Sequence, residues 1–359
     1  MAQAIISRKG GGGGGYATIT FDNYGTSGIE YTGATDLSEN KAYLAATTVG
    51  NYALFGGGET GNGTSRSGYS SKVDAYNTSL TRSTPTVLSA ARQALAATTV
   101  GNYALFGGGY SYNSDSTYYQ TVDAYNTSLT RSTPTSLSKA RCNLAATTVG
   151  DYALFGGGNN SSYLATVDAY NTSLTRSTPT SLSQSRGFFA ATMVGGYALF
   201  GGGRGNSSYP STVDAYNTSL TRSTPTALSV ARYELAATTV GNYALFGGGY
   251  AAFVQPYHSN VVDAYDTSLT RSVLTVLSDG GYGLSATSVG NYALFGGRCN
   301  GYRSTVDVYH LNLKIISIYP GTKYKLGDMA DEATSQTFQE IEVATPINGY
   351  IKVSNTTIN

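Results

Sequence analysis

The fold class this sequence predicts is all-β, a radial array of six four-stranded blades, and three observations predict it. First, Tyr-Ala-Leu-Phe-Gly-Gly occurs six times, with its Phe at Phe55, Phe106, Phe155, Phe200, Phe246 and Phe295. Second, the gaps between these Phe residues are 51, 49, 45, 46 and 49. A repeat of roughly 50 residues is a signature of solenoids, propellers and arrays. Third, each repeat carries several short strand signals separated by turn residues. At 359 residues the chain is too long for an ordinary single core. Blades that pack only on their neighbours around a ring escape that limit.

The copy from Leu95 to Arg141 shows the elements in order. Strand A is LAATTV, whose small and β-branched side chains suit the crowded innermost place. Strand B is YALF, strand C is TVDAY, and strand D, the outermost, is LTRSTPT. Gly101-Asn102 between A and B is a two-residue hairpin signal, because Gly supplies a positive φ. Asn126-Thr127-Ser128 between C and D reads as a second tight turn. The same Asn-Thr-Ser at Asn77, Asn171 and Asn217 formally matches a glycosylation acceptor and is read as turn chemistry.

These residues resemble the kelch family of β-propellers, in which an apolar run ends in a double glycine and a Tyr follows in the next strand. The matches are Leu54-Phe55-Gly56-Gly57 with Tyr76, Leu105-Phe106-Gly107-Gly108 with Tyr125, and Leu154-Phe155-Gly156-Gly157 with Tyr170. The later copies are Leu199-Phe200-Gly201-Gly202 with Tyr216, Leu245-Phe246-Gly247-Gly248 with Tyr265, and Leu294-Phe295-Gly296-Gly297 with Tyr309. The family favours an Arg at the entrance to strand A. Arg92, Arg141, Arg186 and Arg232 match, while Lys41 and Gly281 stand there in the first and last copies. The resemblance spans residues 29 to about 317. The family's Trp after the Tyr is missing from every copy, so packing between blades is expected to differ.

The domain plan that follows is an N-terminal Gly-rich segment over 1–27, a six-bladed propeller over 28–317, and a C-terminal β-rich extension over 318–359. The two ends are expected to build a small β-rich module together. Residues 29–35 align with strand D of the other copies, so the simplest ring closure has them complete the sixth blade. Residues 313–317 compete for the same slot. The opening AIISRKGGGGGG and the closing PINGYIKVS resemble terminal segments of bacteriophage or prophage tail-associated proteins. That resemblance implies a virion or extracellular surface setting and other assembly subunits as partners.

Composition excludes several classes. Charged residues make up 12% and the net charge is +1, without the basic patch that nucleic acid requires. No apolar run reaches 18 residues, so membrane insertion is not expected. The first ten residues lack the apolar core of a secretory signal. Only His258 and His310 occur, too few for a multi-histidine metal site. Cys142 and Cys299 are read as free thiols, and no cofactor is expected. Strand C carries an Asp in every copy, at Asp74, Asp123, Asp168, Asp214, Asp263 and Asp307. Each is read as one local, partly exposed ion pair or hydrogen bond, with Arg82, Arg131, Arg176, Arg222 and Arg271 as the partners that strand D offers. The entrance arginines are expected to bond to carbonyls of the neighbouring blade rather than to a ligand.

Variation among the copies is concentrated in two places. The Phe-to-Tyr separations that span the B-to-C loop are 21, 19, 15, 16, 19 and 14. The pair of residues before strand A also varies, and strand order puts both places at one end of the ring. Loops tolerate change in general, but that alone does not explain a mixture of Tyr with Ser, Asn and Gly. Antibody paratopes use that mixture, because Tyr offers large amphipathic contact at low entropic cost. The expected ligand-binding residues are Tyr110, Tyr112, Tyr118, Tyr119, Tyr163, Tyr209, Tyr233, Tyr250, Tyr257 and Tyr302.

The function expected is therefore non-catalytic recognition of a glycan or a cell-surface protein. The alternative is a structural virion or surface subunit whose loop face mediates self-assembly. A polysaccharide-degrading enzyme ranks below both. Glycoside hydrolysis needs two carboxylates within about 10 Å, and Glu59, Asp115, Glu234 and Asp279 belong to different blades.

Overall fold

The computed structural model describes residues 2–7, 16–21, 35–61, 66–112, 115–251, 257–299 and 303–310, together with four two-residue strands nearer the C-terminal end. Residues 34–311 form one compact unit; residues 1–33 and 312–359 form another. No helix occurs among the described residues.

The repeats build six antiparallel sheets in succession. Blade 1 is Ala45–Val49, Tyr52–Gly56, Val73–Tyr76 and Arg82–Ser83, in that spatial order. Blade 2 is Ala96–Val100, Tyr103–Gly107, Val122–Asn126 and Arg131–Ser132, and blades 3, 4 and 5 repeat the order A-B-C-D. The sixth sheet has three strands, Ser285–Val289, Tyr292–Arg298 and Arg303–His310. Strand D is shorter than LTRSTPT suggests. It pairs over only two or three residues, such as Arg131–Ser132, before the chain leaves the sheet. The Pro that follows has no N–H to give to a ladder.

Both turns follow from their residues. Val100 pairs with Tyr103, leaving Gly101-Asn102 as the loop, with φ +51° at Gly101. In the C-to-D turn the Asn126 side chain accepts from the N–H groups of Ser128 (3.0 Å) and Thr130 (2.9 Å). Asp266 takes the same part in blade 5.

One blade packs on the next through a fixed contact. The Phe of each blade lies on the first glycine of the blade before it. A Cβ on Gly107 would meet the Phe155 ring at 2.8 Å, and one on Gly201 would meet Phe246 at 2.8 Å. Within each blade that Phe meets the strand C Tyr edge-on, as Phe155 meets Tyr170 at 6.0 Å and 87°. Across the gap stand the Ala, Val and Leu of strands A, B and C. Ala96, Val100, Leu105, Val122 and Ala124 of blade 2 cover Ala153, Phe155 and Tyr170 of blade 3. Strand A is narrow because neighbouring A strands touch, with Thr98 Oγ1 and Thr148 Oγ1 at 2.9 Å. Phe155→Ala is expected to cost about 3–5 kcal/mol by opening a cavity between blades 2 and 3. Denaturant unfolding measures this.

Among the described residues this interface forms five times. Its two halves also occur unpaired among the described residues. On blade 6, Val289, Val306 and Val308 are 57%, 52% and 48% exposed. On blade 1, Ala53, Phe55 and Tyr76 are only partly covered, where their blade 2 counterparts are fully buried. Both segments considered for closure, 29–35 and 313–317, lie outside the described residues except at one end. Thr35 accepts a hydrogen bond from the Tyr76 hydroxyl at 2.6 Å, as Thr86 does from Tyr125. Ser317 pairs with Asn348.

In the other unit, strands from the two ends of the chain share one antiparallel sheet. Its order is Tyr16–Phe21, Ala2–Ser7, Ile341–Glu342 and Lys323–Tyr324.

Candidate functional site: the loop end of the blades

A repeated polar buttress holds the loop end in place. Each strand C Asp gathers several donors. Asp168 accepts from Ser138 N–H (3.0 Å), Ser138 Oγ (3.1 Å), Arg141 Nη2 (2.8 Å) and Arg176 Nη1 (2.7 Å). The expected pairs with strand D form, their Arg side chains 24–26% exposed, but the Asp side chains of blades 1 to 5 are fully buried and hold more than that one pair. Tertiary packing brings a second cation from the entrance to strand A. Arg141 is itself buried, and its Nη2 also donates to the Phe155 carbonyl at 3.1 Å. Lys41 takes this place in blade 1, 3.0 Å from Asp74. Burial raises the Asp74 carboxyl, but hydrogen bonds from Lys41 and Ser38 and the Lys41 charge leave it below its ordinary value.

Blade 6 reaches the same end by an exchange. The entrance position is Gly281, and the third glycine of the other copies is replaced by Arg298. Arg298 pairs with Asp307 from the other side. In blade 2 the Arg92 stem lies against Gly109; in blade 6 the Arg298 stem lies against Gly281.

Above this buttress the backbone is nearly constant and the side chains vary. The residue before each turn into strand A pairs with the first residue of the B-to-C loop. Gln93 pairs with Tyr110, Cys142 with Asn159, Gly187 with Arg204, and Tyr233 with Tyr250. The next residue is left-handed: Tyr43, Ala94, Asn143, Phe188 and Glu234, with φ of 51–55°, and Gly283 at 65°. From Ala94 onward, each N–H in this series donates to its counterpart in the preceding blade. Ala94 donates to Tyr43 O, Asn143 to Ala94 O, Phe188 to Asn143 O, Glu234 to Phe188 O and Gly283 to Glu234 O, at 2.8–3.1 Å. One course of hydrogen bonds thus crosses six blades. Left-handed Leu80, Leu129, Leu174, Leu220 and Leu269 recur in the C-to-D turn at the opposite, invariant end. Backbone strain therefore does not distinguish the variable end.

The side chains do. A connected set of rings spans blades 4 to 6. Tyr209 stacks with Tyr233 at 5.4 Å and 26°, and Tyr233 meets Tyr250 at 5.3 Å. Tyr250 stacks with Tyr257 at 6.1 Å and 8°, and meets Tyr282 at 5.7 Å. Tyr282 in turn stacks with His258 at 5.5 Å. The exposed Arg204 guanidinium lies 5.9 Å from the Tyr209 ring centre and 5.8 Å from that of Tyr233. A second set lies on blades 1 and 2, where Tyr110 meets Tyr118 at 5.2 Å and Tyr69 at 6.4 Å.

Of the tyrosines expected from the sequence, Tyr209, Tyr233, Tyr250 and Tyr257 come together, and so do Tyr110 and Tyr118. Tyr112 is exposed at the tip of its hairpin. Tyr119 is turned inward, its hydroxyl 2.9 Å from Ser111 Oγ and its ring under Arg92. Tyr163, on blade 3, leans on the entrance to blade 4: its N–H is 3.4 Å from Asn206 Oδ1, and a Cβ on Gly187 would meet its ring at 3.3 Å. Tyr302 lies outside the described residues. Sequence reasoning missed Arg204, His258 and Tyr282. The missed signal was positional, since Arg204 follows the third glycine just as Tyr110 and Tyr250 do.

The succession of blades has counterparts among proteins of known structure. Of 493 matching chains, the structure titled "Structure of YjhT" superposes with a TM-score of 0.60. The match covers 78% of this chain and 98% of that one, at 10% sequence identity. The chain folds as a β-propeller. No protein-family model and no curated protein sequence matches it.

The electrostatics of the propeller's loop end are mild. Burial raises the Tyr233 phenol, with the charges of nearby Glu234 and Arg204 acting in opposite directions. Burial also raises the Glu234 carboxyl, and Arg204 draws it partly back. Cys142 is buried, and its thiol is pushed up to about 12, so it stays protonated near neutral pH. Among the described residues no cluster of three or more His, Cys, Asp or Glu is placed to hold a metal ion. No described helix is long and apolar enough to cross a membrane.

Proposed function

We propose that the loop end of this propeller is a glycan-binding face, with the ring set of blades 4 to 6 as its centre. One observation carries the reading: four variable loop positions from two adjoining blades, Tyr209, Tyr233, Tyr250 and Tyr257, converge on one another while remaining partly open to solvent. Aromatic faces are apolar surfaces with a polar rim. They suit the C–H faces of sugar rings, and the surrounding Ser and Asn suit their hydroxyls. The invariant end of the blades holds no comparable variety, which is what a scaffold with one working face requires. The reading includes no chemical step. In the wider proposal the propeller is of kelch type, and the β-rich terminal unit attaches it to a larger surface assembly such as a phage tail.

The test is retention on a glycan array and on whole bacterial surfaces, comparing the wild type with a Tyr233→Ala/Tyr250→Ala variant. Loss of a buried aromatic contact costs ~2 kcal/mol or more, so retention is expected to fall at least about tenfold while the melting temperature changes little. Equal retention by both proteins rejects this site. Retention of proteins alone, with no glycan bound, favours a protein surface as the ligand.

A further inference from the structure

We infer that the loop end carries two separate sugar-binding subsites, and that its ligand is a repeating polysaccharide engaging both at once. This rests on the glycan-binding reading above and adds the number of subsites and the form of the ligand. The ring contacts at the loop end fall into two sets, and among the described residues no ring contact joins them. One set, Tyr69, Tyr110 and Tyr118, belongs to blades 1 and 2. The other, centred on Tyr233 and Tyr250, spans blades 4 to 6.

The break between them lies within blade 3. Its paired positions hold Cys142 and Asn159 instead of aromatics, and the Asn143 amide donates to Asn159 Oδ1 at 2.9 Å, so these small polar groups satisfy one another. Tyr163 of the same loop lies on the blade 4 side, its ring where a Cβ on Gly187 would meet it at 3.3 Å. Each aromatic set has its own support. Tyr110 and Tyr118 are a directly opposed cross-strand pair in a hairpin that belongs to blade 2 alone. Tyr233 and Tyr250 are likewise opposed in blade 5. Neither set depends on the other for its geometry, so each can hold a sugar while the other is empty.

A single sugar unit meets one such set at a time and binds weakly. Joining two weak sites through one ligand raises overall affinity by roughly 100- to 10,000-fold when the span matches. A polymer with regular repeats presents the same sugar at a series of spacings, so it can meet that condition where a single repeat cannot.

The experiment uses the full chain with bacterial capsular and O-antigen polysaccharide preparations as probes, each as intact polymer and as its single-repeat oligosaccharide. Two variants are compared with wild type: Tyr110→Ala/Tyr118→Ala and Tyr233→Ala/Tyr250→Ala. Calorimetry is expected to find two single-repeat oligosaccharides per wild-type chain and one per variant. Each variant should lose at least about tenfold in affinity for the polymer while its melting temperature holds. Matching Tyr→Phe pairs, which keep the rings, should retain binding. One oligosaccharide per wild-type chain, with only one variant affected, overturns the two-subsite inference and leaves the glycan reading intact. Failure of the wild type to retain any polysaccharide removes both.

Discussion

Replacing Asp168 with Ala is expected to destabilise the protein by about 3–5 kcal/mol, the cost of leaving a buried charge without its partner. Asp168 and Arg141 are both fully buried and lie 2.8 Å apart. Without the carboxylate, the Arg141 guanidinium keeps only carbonyl acceptors, Phe155 O at 3.1 Å and Lys139 O at 3.3 Å. The Ser138 N–H loses its acceptor as well. The loss is therefore of a hub that ties the incoming connection to strands B and C of its blade. Arg176 offers the control. It bonds to the same Asp168 at 2.7 Å, but its side chain is 25% exposed and water can replace the pair. Arg176→Ala should cost only about 0.2–1 kcal/mol, as exposed ion pairs do. Denaturant midpoints of Asp168→Ala, Arg141→Ala and Arg176→Ala decide the matter. A loss below ~1 kcal/mol for Asp168→Ala, or equal losses for the two arginines, contradicts the buried-hub account.

The second large effect concerns the exchange in blade 6, where two substitutions that are each damaging should compensate. A side chain at Gly281 begins 2.7 Å from Arg298 Cβ and would run along the Arg298 stem. Gly281→Arg is expected to cost about 1–3 kcal/mol in overpacking, with two guanidinium groups competing for Asp307. Arg298→Gly removes the cation that Asp307 faces, at about 2–4 kcal/mol, below the fully buried case because Asp307 is partly exposed. Together they recreate the arrangement of blades 2 to 5, an entrance Arg with a glycine opposite. The backbone permits the exchange. Gly281 is not left-handed, and Arg298 lies at a bulge in strand B where the other copies hold a glycine at φ of 97–117°. A double-mutant cycle should give a favourable coupling of ~2–3 kcal/mol, the upper range for groups in direct contact. Additive losses would show that the two positions are unrelated.

Particular residues show what could be read in advance. The Gly-Asn and Asn-Thr-Ser turns were legible because a local backbone geometry demands those residue types, and neighbours in sequence settle it. The order A-B-C-D followed from short connections between antiparallel strands. The gathering of variable segments at one end followed from that order alone. Strand D looks longer in sequence than it is because Thr-Pro-Thr keeps an extended composition after the chain leaves the ladder. The entrance arginines do bond to carbonyls, but Arg141 takes those of Phe155 in its own blade and of Lys139 in the incoming connection rather than a neighbouring blade's, and its ion pair with Asp168 has no local signal. Arg141 and Asp168 are 27 residues apart, and no local rule couples them. Gly281 was visible as an exception and Arg298 as a loop residue. Their exchange appears only once the two backbones are seen side by side.

The candidate site divides along the same line. Which segments vary, and that they are rich in Tyr, is written in the repeats, because six near-copies expose every departure from their common pattern. Which tyrosines meet is not written there. Tyr233 and Tyr250 are opposed because a loop folds back on the entrance to its own blade, while Tyr209 reaches Tyr233 from the blade before. Tyr119, from the same loop as Tyr118, turns inward to Ser111 and Arg92. Repetition sets the backbone through local turns and ladders, which each copy specifies for itself. Contact between variable side chains depends on how adjacent blades stack, and that requires the assembled propeller.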